Sequence, residues 1–580
     1  MGDVKFSTPA YCSAMRKIHI TAMLATSVAI STLFSTALPV QNVSAEGSSA
    51  ELISVGRWVS GSGLGGAEIS AFDAKSKRIF VTNGATNQID IVSIKDPKKP
   101  VLFGRINLAK KGVTGIQSVA TKDGLVAIAA QVSTDKAVPG KVFLADVSGK
   151  LSPSAPNGIV VGSLPDSVHF SPNGQYIVTA NEGEPTSYCL TNGALPTTTD
   201  PNGSVSIIDL SASKLKATTV DFSAFDDRKN AMVYAGARVF GPNATVAQDL
   251  EPEYITISND SEYAYVTLQE NNAIATIDLT TKKVVSVNGL GFKSFATDGL
   301  DASDRDSAVK IAPANVFGMY QPDAIAQVTR GATTYLFTAN EGDAREYPCL
   351  MGGTSTTALE AEDVRFGKNA AASVDATLKS DAVAGRLKVT PFTPASVAGA
   401  PVNASTSITA GYSYGARSFS VWQASTVEGV FPMTRVYDSG SSIEKYLSTT
   451  RAASFNADWN TTTGLVNAVD SRSSSKGPEP EGLAVGRAYG RMWMVLGLER
   501  DGGLMLYDVT DPTFPIFKSY INTSNPAGNL LQSTKKTAAA GDVSPEGILF
   551  VSDKESPTGK AMVIVSYELS GTVGIYQFSK

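Results

Sequence analysis

Histidine is nearly absent from this sequence: the chain holds two, His19 and His169, in 580 residues. Cysteine is almost as scarce, with Cys12, Cys189 and Cys349. A zinc centre of the usual kind needs several imidazole or thiolate ligands, so it is nearly excluded. His169 lies in the strand-like stretch SVHF, a setting that suits a core residue better than a catalyst. Neither a G-x-S-x-G elbow nor a P-loop occurs, which argues against a serine hydrolase and a nucleotide enzyme. Basic runs are also missing. The net charge is −5 with no cluster of Lys and Arg, which weighs against nucleic acid as a partner because phosphate neutralisation needs such clusters.

Long apolar runs are missing too, with one exception. ITAMLATSVAISTLFSTALPV is the only stretch that approaches the ~20 residues of a membrane helix. Arg16 and Lys17 precede it, and Val43-Ser44-Ala45 follows with the small residues of a cleavage site. Residues 1–45 therefore read as an export signal, with residues 1–14 as an over-long start before Met15. A retained anchor is the alternative reading. The expected mature chain is exported to the periplasm or the extracellular space, has no membrane span and is monomeric. An oxidising compartment permits a disulfide between Cys189 and Cys349, with two separate buried thiols as the alternative.

What the sequence does contain is repetition. A unit of apolar strand, tight turn, second strand and polar loop recurs seven times, from Ala67, Gly115, Leu164, Glu251, Gln321, Glu479 and Ser544. Third strands follow, such as NQIDIVSI, GSVSIIDL and GTVGIYQF. Hydrophobic residues make up 42% and charged residues 18%, a globular composition. Seven short-stranded units predict an all-β, seven-bladed β-propeller, because each unit buries its apolar faces only against its neighbours. ELISVGRWVS near the mature start is expected to add the outer strand of the last blade and close the ring. A pair of β-sandwiches is the competing architecture. Residues 46–580 form one domain in this reading, with insertions near 280–320, 343–413 and 454–477. Within the second insertion, EAEDVRFGKNAAASVDATL has a helical look.

In a propeller the first residues of all innermost strands share one mouth. Here they are Glu68, Gln117, Asp166, Glu253, Asp323, Glu481 and Glu546. Loops after the second strands add Glu182, Glu184, Glu270, Glu341, Asp343, Glu499, Asp501 and Glu568. So many carboxylates repel one another unless a cation is present. Hard oxygen ligands favour Ca²⁺, with Mg²⁺ as the alternative. The competing explanation is structural: such acids also cap backbone N–H groups at turns.

The stretches ANEGEP, GPNATVAQDLEPEYI, ANEGDARE, GARSFSVW, KGPEPEGLAVG and SPEGILFVSDKES resemble the choice-of-anchor I family. Its bacterial members are often labelled alkaline phosphatase, and mesenchyme-specific cell-surface glycoproteins belong to the same group. The resemblance implies an exported, Ca²⁺-associated propeller. It carries functional positions onto Glu182, Glu184, Glu251, Glu253, Glu341, Asp343, Arg345, Glu346, Arg417, Glu479, Glu481 and Glu546. In two respects the chain departs from the pattern. SRSSSKG stands where a more acidic stretch is expected, and the sequence stops at YQFSK without a sorting signal.

Three functions compete. The first is a metal-dependent phosphoesterase acting on a small phosphate-containing substrate, with Arg345 and Arg417 as phosphate clamps and Glu184 or Asp343 as base. Its metal ligands would be Glu182, Glu251, Glu253, Asp323, Glu341, Glu346, Glu479, Glu481 and Glu546. The second is a non-catalytic, calcium-binding scaffold for a surface or matrix partner. The third, a lactonase-like hydrolase, would use the same channel acids.

Overall fold

The computed structural model describes residues 50–392, 407–426, 429–532 and 538–579. The expected export signal lies outside these residues. The repeat copies fold into seven four-stranded antiparallel sheets. Each unit supplies the first two strands, for example Ser70–Asp73 with Arg78–Asn83 in the first sheet and Pro165–Phe170 with Tyr176–Asn181 in the third. The seventh sheet joins both ends of the chain. Its first three strands are Pro545–Val551, Met562–Tyr567 and Thr572–Phe578, and Leu52–Val59 pairs antiparallel with the last of them.

These segments form strands because β-branched and aromatic residues alternate with small ones between Gly- and Asn-rich turns, and because nearly all their apolar side chains find a neighbouring sheet. Phe80, Ile91, Val119 and Phe143 fill the layer between the first and second sheets. Similar layers lie between each later pair, and Trp58, Val81, Ile564 and Val573 form one between the seventh and the first. Each fully buried Val, Ile or Phe contributes roughly 1.5–3 kcal/mol. The innermost strands of successive sheets lie against each other, including those of the seventh and first sheets.

The insertions differ from their sequence expectations in two places. Lys283–Gly289 is the fourth strand of the fourth sheet, so the insertion near 280–320 begins after it. The alternation in KVVSVNG pairs with Ala273–Asp278 and needs no separate fold. EAEDVRFGKNAAASVDATL forms short strands at Leu359–Ala361 and Val364–Arg365 and a single helical turn, Phe366–Asn369. Local helix propensity yields here to burial of Phe366 and to close backbone packing at Gly367, where a Cβ would come within 2.4 Å of the Lys379 carbonyl oxygen. Segments of two insertions then share a five-stranded sheet that includes Phe292–Ser294, Phe317–Met319 and Tyr412–Ser413.

Cys189 and Cys349 form a disulfide with Cα atoms 5.1 Å apart, joining the loops after the second strands of the third and fifth sheets. Among the described residues, no helix is long and apolar enough to cross a membrane.

Candidate metal centre

The chain enters several innermost strands through a strained turn. Leu164, Gln321, Glu479 and Ser544 have φ of 48°, 39°, 52° and 67°, and each precedes a proline. That left-handed conformation is costly for a residue with a side chain, and strain of this kind gathers where a structure must aim a group. A bulge follows in four strands, between Ile116 and Ser118, Pro165 and Ser167, Pro480 and Leu483, and Pro545 and Ile548. Left out of the ladder are Gln117, Asp166, Glu481 with Gly482, and Glu546 with Gly547, and an irregularity of this kind re-aims the side chain. Glycine after the acid lets adjacent innermost strands touch. A Cβ on Gly482 would come within 2.0 Å of the Glu546 carbonyl oxygen, and one on Gly547 within 2.5 Å of that of Glu68.

The result is a cavity of about 340 Å³ lined by Gln117, Asp166, Glu253, Asp323, Glu481 and Glu546. From the second-strand loops come Glu341, Asp343 and Glu499. Glu68 is set back, with Ile69 lining in its place and its carboxylate against Gly84. The two NEG loops occupy equivalent slots. Asn181 donates to the hydroxyls of Ser204 and Ser206, and Asn340 donates to those of Ser418 and Ser420. His169 packs edge-on against Tyr254, and burial lowers its pKa to about 4.

Charge in this mouth is uncompensated on one side. Among the described residues, Asp166, Glu253, Asp323, Glu481 and Glu546 make no ion pair, and one buried oxygen each of Glu253, Glu481 and Glu546 has no hydrogen-bond partner. Burial, reinforced by neighbouring carboxylates, raises Glu253, Asp323, Glu481 and Glu546 well above the ordinary range. Burial and Glu184 push Asp166 up to about 7.

Two carboxylate nests meet at Glu341. Oxygens of Asp323, Glu341 and Glu481 lie within 4.8 Å of one another, as do those of Glu341, Glu479 and Glu499. Protein cations fill the second nest. The Lys476 ammonium pairs with Glu341 and lies 3.2 Å from Glu479 Oε2 and 3.8 Å from Asp343. Arg500 reaches Glu479 at 2.9 Å and Glu499 at 2.8 Å, and Arg472 donates to the other Glu479 oxygen at 2.9 Å. Burial opposes ionisation of Glu479, but Lys476, Arg500 and Arg472 prevail and hold it well below the usual carboxylate range. Sequence reasoning missed these three cations. Arg472 and Lys476 come from SRSSSKG, the stretch noted above for lacking acids.

The structure does not bring every predicted residue to the cavity. Arg345 is buried, and all its donors are engaged: Nε and NH2 with Glu251, NH1 with Asp249 and the Tyr188 hydroxyl, and NH2 also with the Asp249 carbonyl. Arg417 is equally buried and binds Glu444 and the carbonyls of Asp301, Ser473 and Ser475. A phosphate would have to displace these partners to reach Arg345, and at Arg417, whose Nε has no hydrogen-bond partner, burial closes the approach. Glu251 belongs to the Arg345 knot, Glu184 pairs with Lys136, and Glu346 is exposed on a hairpin strand, Glu346–Pro348. Glu182 also stands outside the cavity lining, next to Glu184.

The Choice-of-anchor I domain model matches residues 68–512. Gigasin-3a of Magallana gigas is 32% identical over 175 residues, 28% of this chain, and the chain spans 56% of that protein's length. The hydrazine synthase of Kuenenia stuttgartiensis is similar with a TM-score of 0.41 at 11% identity, covering 89% of this chain and 96% of the other. For the WD40 domain of Toxoplasma gondii coronin the values are 0.39, 7%, 91% and 86%. For a periplasmic gluconolactonase of Pseudomonas aeruginosa they are 0.34, 10%, 79% and 85%. With its family model spanning most of the sequence, the chain belongs to the choice-of-anchor I family.

Proposed function

We propose that this chain is an exported, seven-bladed β-propeller, closed by its N-terminal strand, that binds a divalent cation in its acidic mouth. The closure reading is supported by the apolar layer and strand contacts between the seventh and first sheets. The disulfide supports export. The observation that carries the cation reading is the contrast between charge and partners: Glu253, Glu481 and Glu546 line one cavity, and one buried oxygen of each has no hydrogen-bond partner. Asp323, Glu341 and Glu481 would hold the ion. Their all-oxygen, irregular arrangement fits Ca²⁺ better than the strict octahedron of Mg²⁺.

A second reading adds phosphoester hydrolysis at the same place. It is favoured by Asp343, whose half-exposed carboxylate stands on the cavity wall beside Lys476, where a general base could meet water. A bound cation would polarise the phosphate there. Without catalysis, the same site serves a calcium-dependent scaffold for a surface or matrix partner. Thermal melting with Ca²⁺ and with EDTA tests the cation reading; an unchanged midpoint refutes it. Turnover of p-nitrophenyl phosphate above an EDTA control separates the enzyme from the scaffold.

A further inference from the structure

We infer that Lys476 is a tethered cation that competes with the divalent ion for Glu341 and so sets the affinity of the Asp323–Glu341–Glu481 nest. This rests on the cation reading above and adds the residue that regulates it. Glu341 belongs to both nests. Its Oε2 accepts from the Gln269 amide at 2.8 Å and its Oε1 takes the Lys476 ammonium, so both oxygens are already in use. An ion entering between Asp323 and Glu481 that takes Oε1 as its third ligand must share or displace the ammonium, and one that takes Oε2 beside the Gln269 amide still meets the ammonium's charge across the same carboxylate.

The ammonium has somewhere to go. Glu479 Oε2 at 3.2 Å and Asp343 at 3.8 Å keep it compensated when it withdraws from Glu341. The loop that presents it is fixed from behind. Arg417 donates NH2 to the carbonyl oxygens of Ser473 and Ser475 at 2.7 and 2.9 Å, and Glu444 holds NH1 at 2.8 Å. Gly477 packs on the same side chain, since a Cβ there would lie 3.1 Å from Arg417 Cδ. Arg417 is thus a positioning residue for Lys476, and it touches no ligand itself.

Calcium titration calorimetry on the disulfide-intact chain tests the assignment. Lys476→Met is expected to bind Ca²⁺ about tenfold more tightly than wild type, because a unit charge ~4 Å from the ion is removed from a partly desolvated site. Lys476→Arg keeps the charge and stays within about threefold of wild type. Arg417→Lys, which loosens the loop, shifts affinity toward the Lys476→Met value; should it fail to fold, the two Lys476 variants decide alone. Equal or weaker binding by Lys476→Met, with wild type binding Ca²⁺, overturns the inference. Absence of Ca²⁺ binding in both overturns the cation reading as well.

Discussion

The two nests that meet at Glu341 are built from the same side chain type in the same cavity, yet only one carries its own counter-charge. Glu341, Glu479 and Glu499 are surrounded by Lys476, Arg500 and Arg472. Asp323 and Glu481 have no cation of their own. Burial raises carboxyl pKa values in both places, Glu341 and Glu499 included, and Glu499 reaches about 8 despite Arg500; Glu479 alone, with three cations around it, is held low, while Glu481 is driven high. An acidic cluster alone therefore says little. The informative feature is an acid that the protein buries and leaves unanswered.

Opposite responses to one kind of substitution would sharpen this contrast. Glu479→Gln leaves three cations around a neutral group and is expected to cost about 3–5 kcal/mol, read from urea midpoints; a change near zero would erase the distinction between the nests. Removing the disulfide with Cys189→Ser and Cys349→Ser frees the loop behind Glu341 and, with the cysteines 160 positions apart, is expected to cost about 2–4 kcal/mol by the same assay. Asp323→Asn with Glu481→Gln should weaken Ca²⁺ binding at least about 100-fold in calorimetry. In EDTA, that pair should leave the fold as stable as wild type or more so, since burial already disfavours the charged form of both acids; a loss comparable to Glu479→Gln would contradict the account.

The last effect is on pH dependence. Glu68 is pushed up to about 8 by burial, then by Glu568 and Asp166, and Asp166 to about 7. The unfolded chain releases these protons near the ordinary carboxyl value while the folded chain retains them. Their contribution is complete below that value and is lost as pH rises through about 7–8. EDTA-treated protein should melt lower at about pH 8 than at about pH 5, and Ca²⁺ should flatten the difference because binding releases protons. A melting point that rises with pH in EDTA would break the assignment.

Much of the scaffold was legible because period-2 alternation and recurrent turns report directly on strands buried by neighbours. The pairing of Leu52–Val59 with Thr572–Phe578 was readable for the same reason: each unit needs a partner edge. Glu253, Asp323, Glu481 and Glu546 were placed at one mouth because a repeat fixes equivalent positions. What the repeat could not report was the partner chemistry. Arg345 lies in the acidic stretch ANEGDARE and Arg417 in GARSFSVW, but their directions depend on loops that fold back to Asp249 and Glu444. Lys476 and Arg472 stand three and seven residues before Glu479 and were overlooked because SRSSSKGPEPEG was read for its acids alone, whereas Arg500 comes from the loop after the second strand of the same sheet. The helical look of EAEDVRFGKNAAASVDATL misled because burial of Phe366 overrode local preference.

The most direct test is metal analysis of the purified chain after equilibration with Ca²⁺ and removal of free ion. The account predicts calcium retained by wild type and lost from Asp323→Asn/Glu481→Gln, with both proteins folded. Retention undiminished in that variant, or no calcium in wild type, would contradict it.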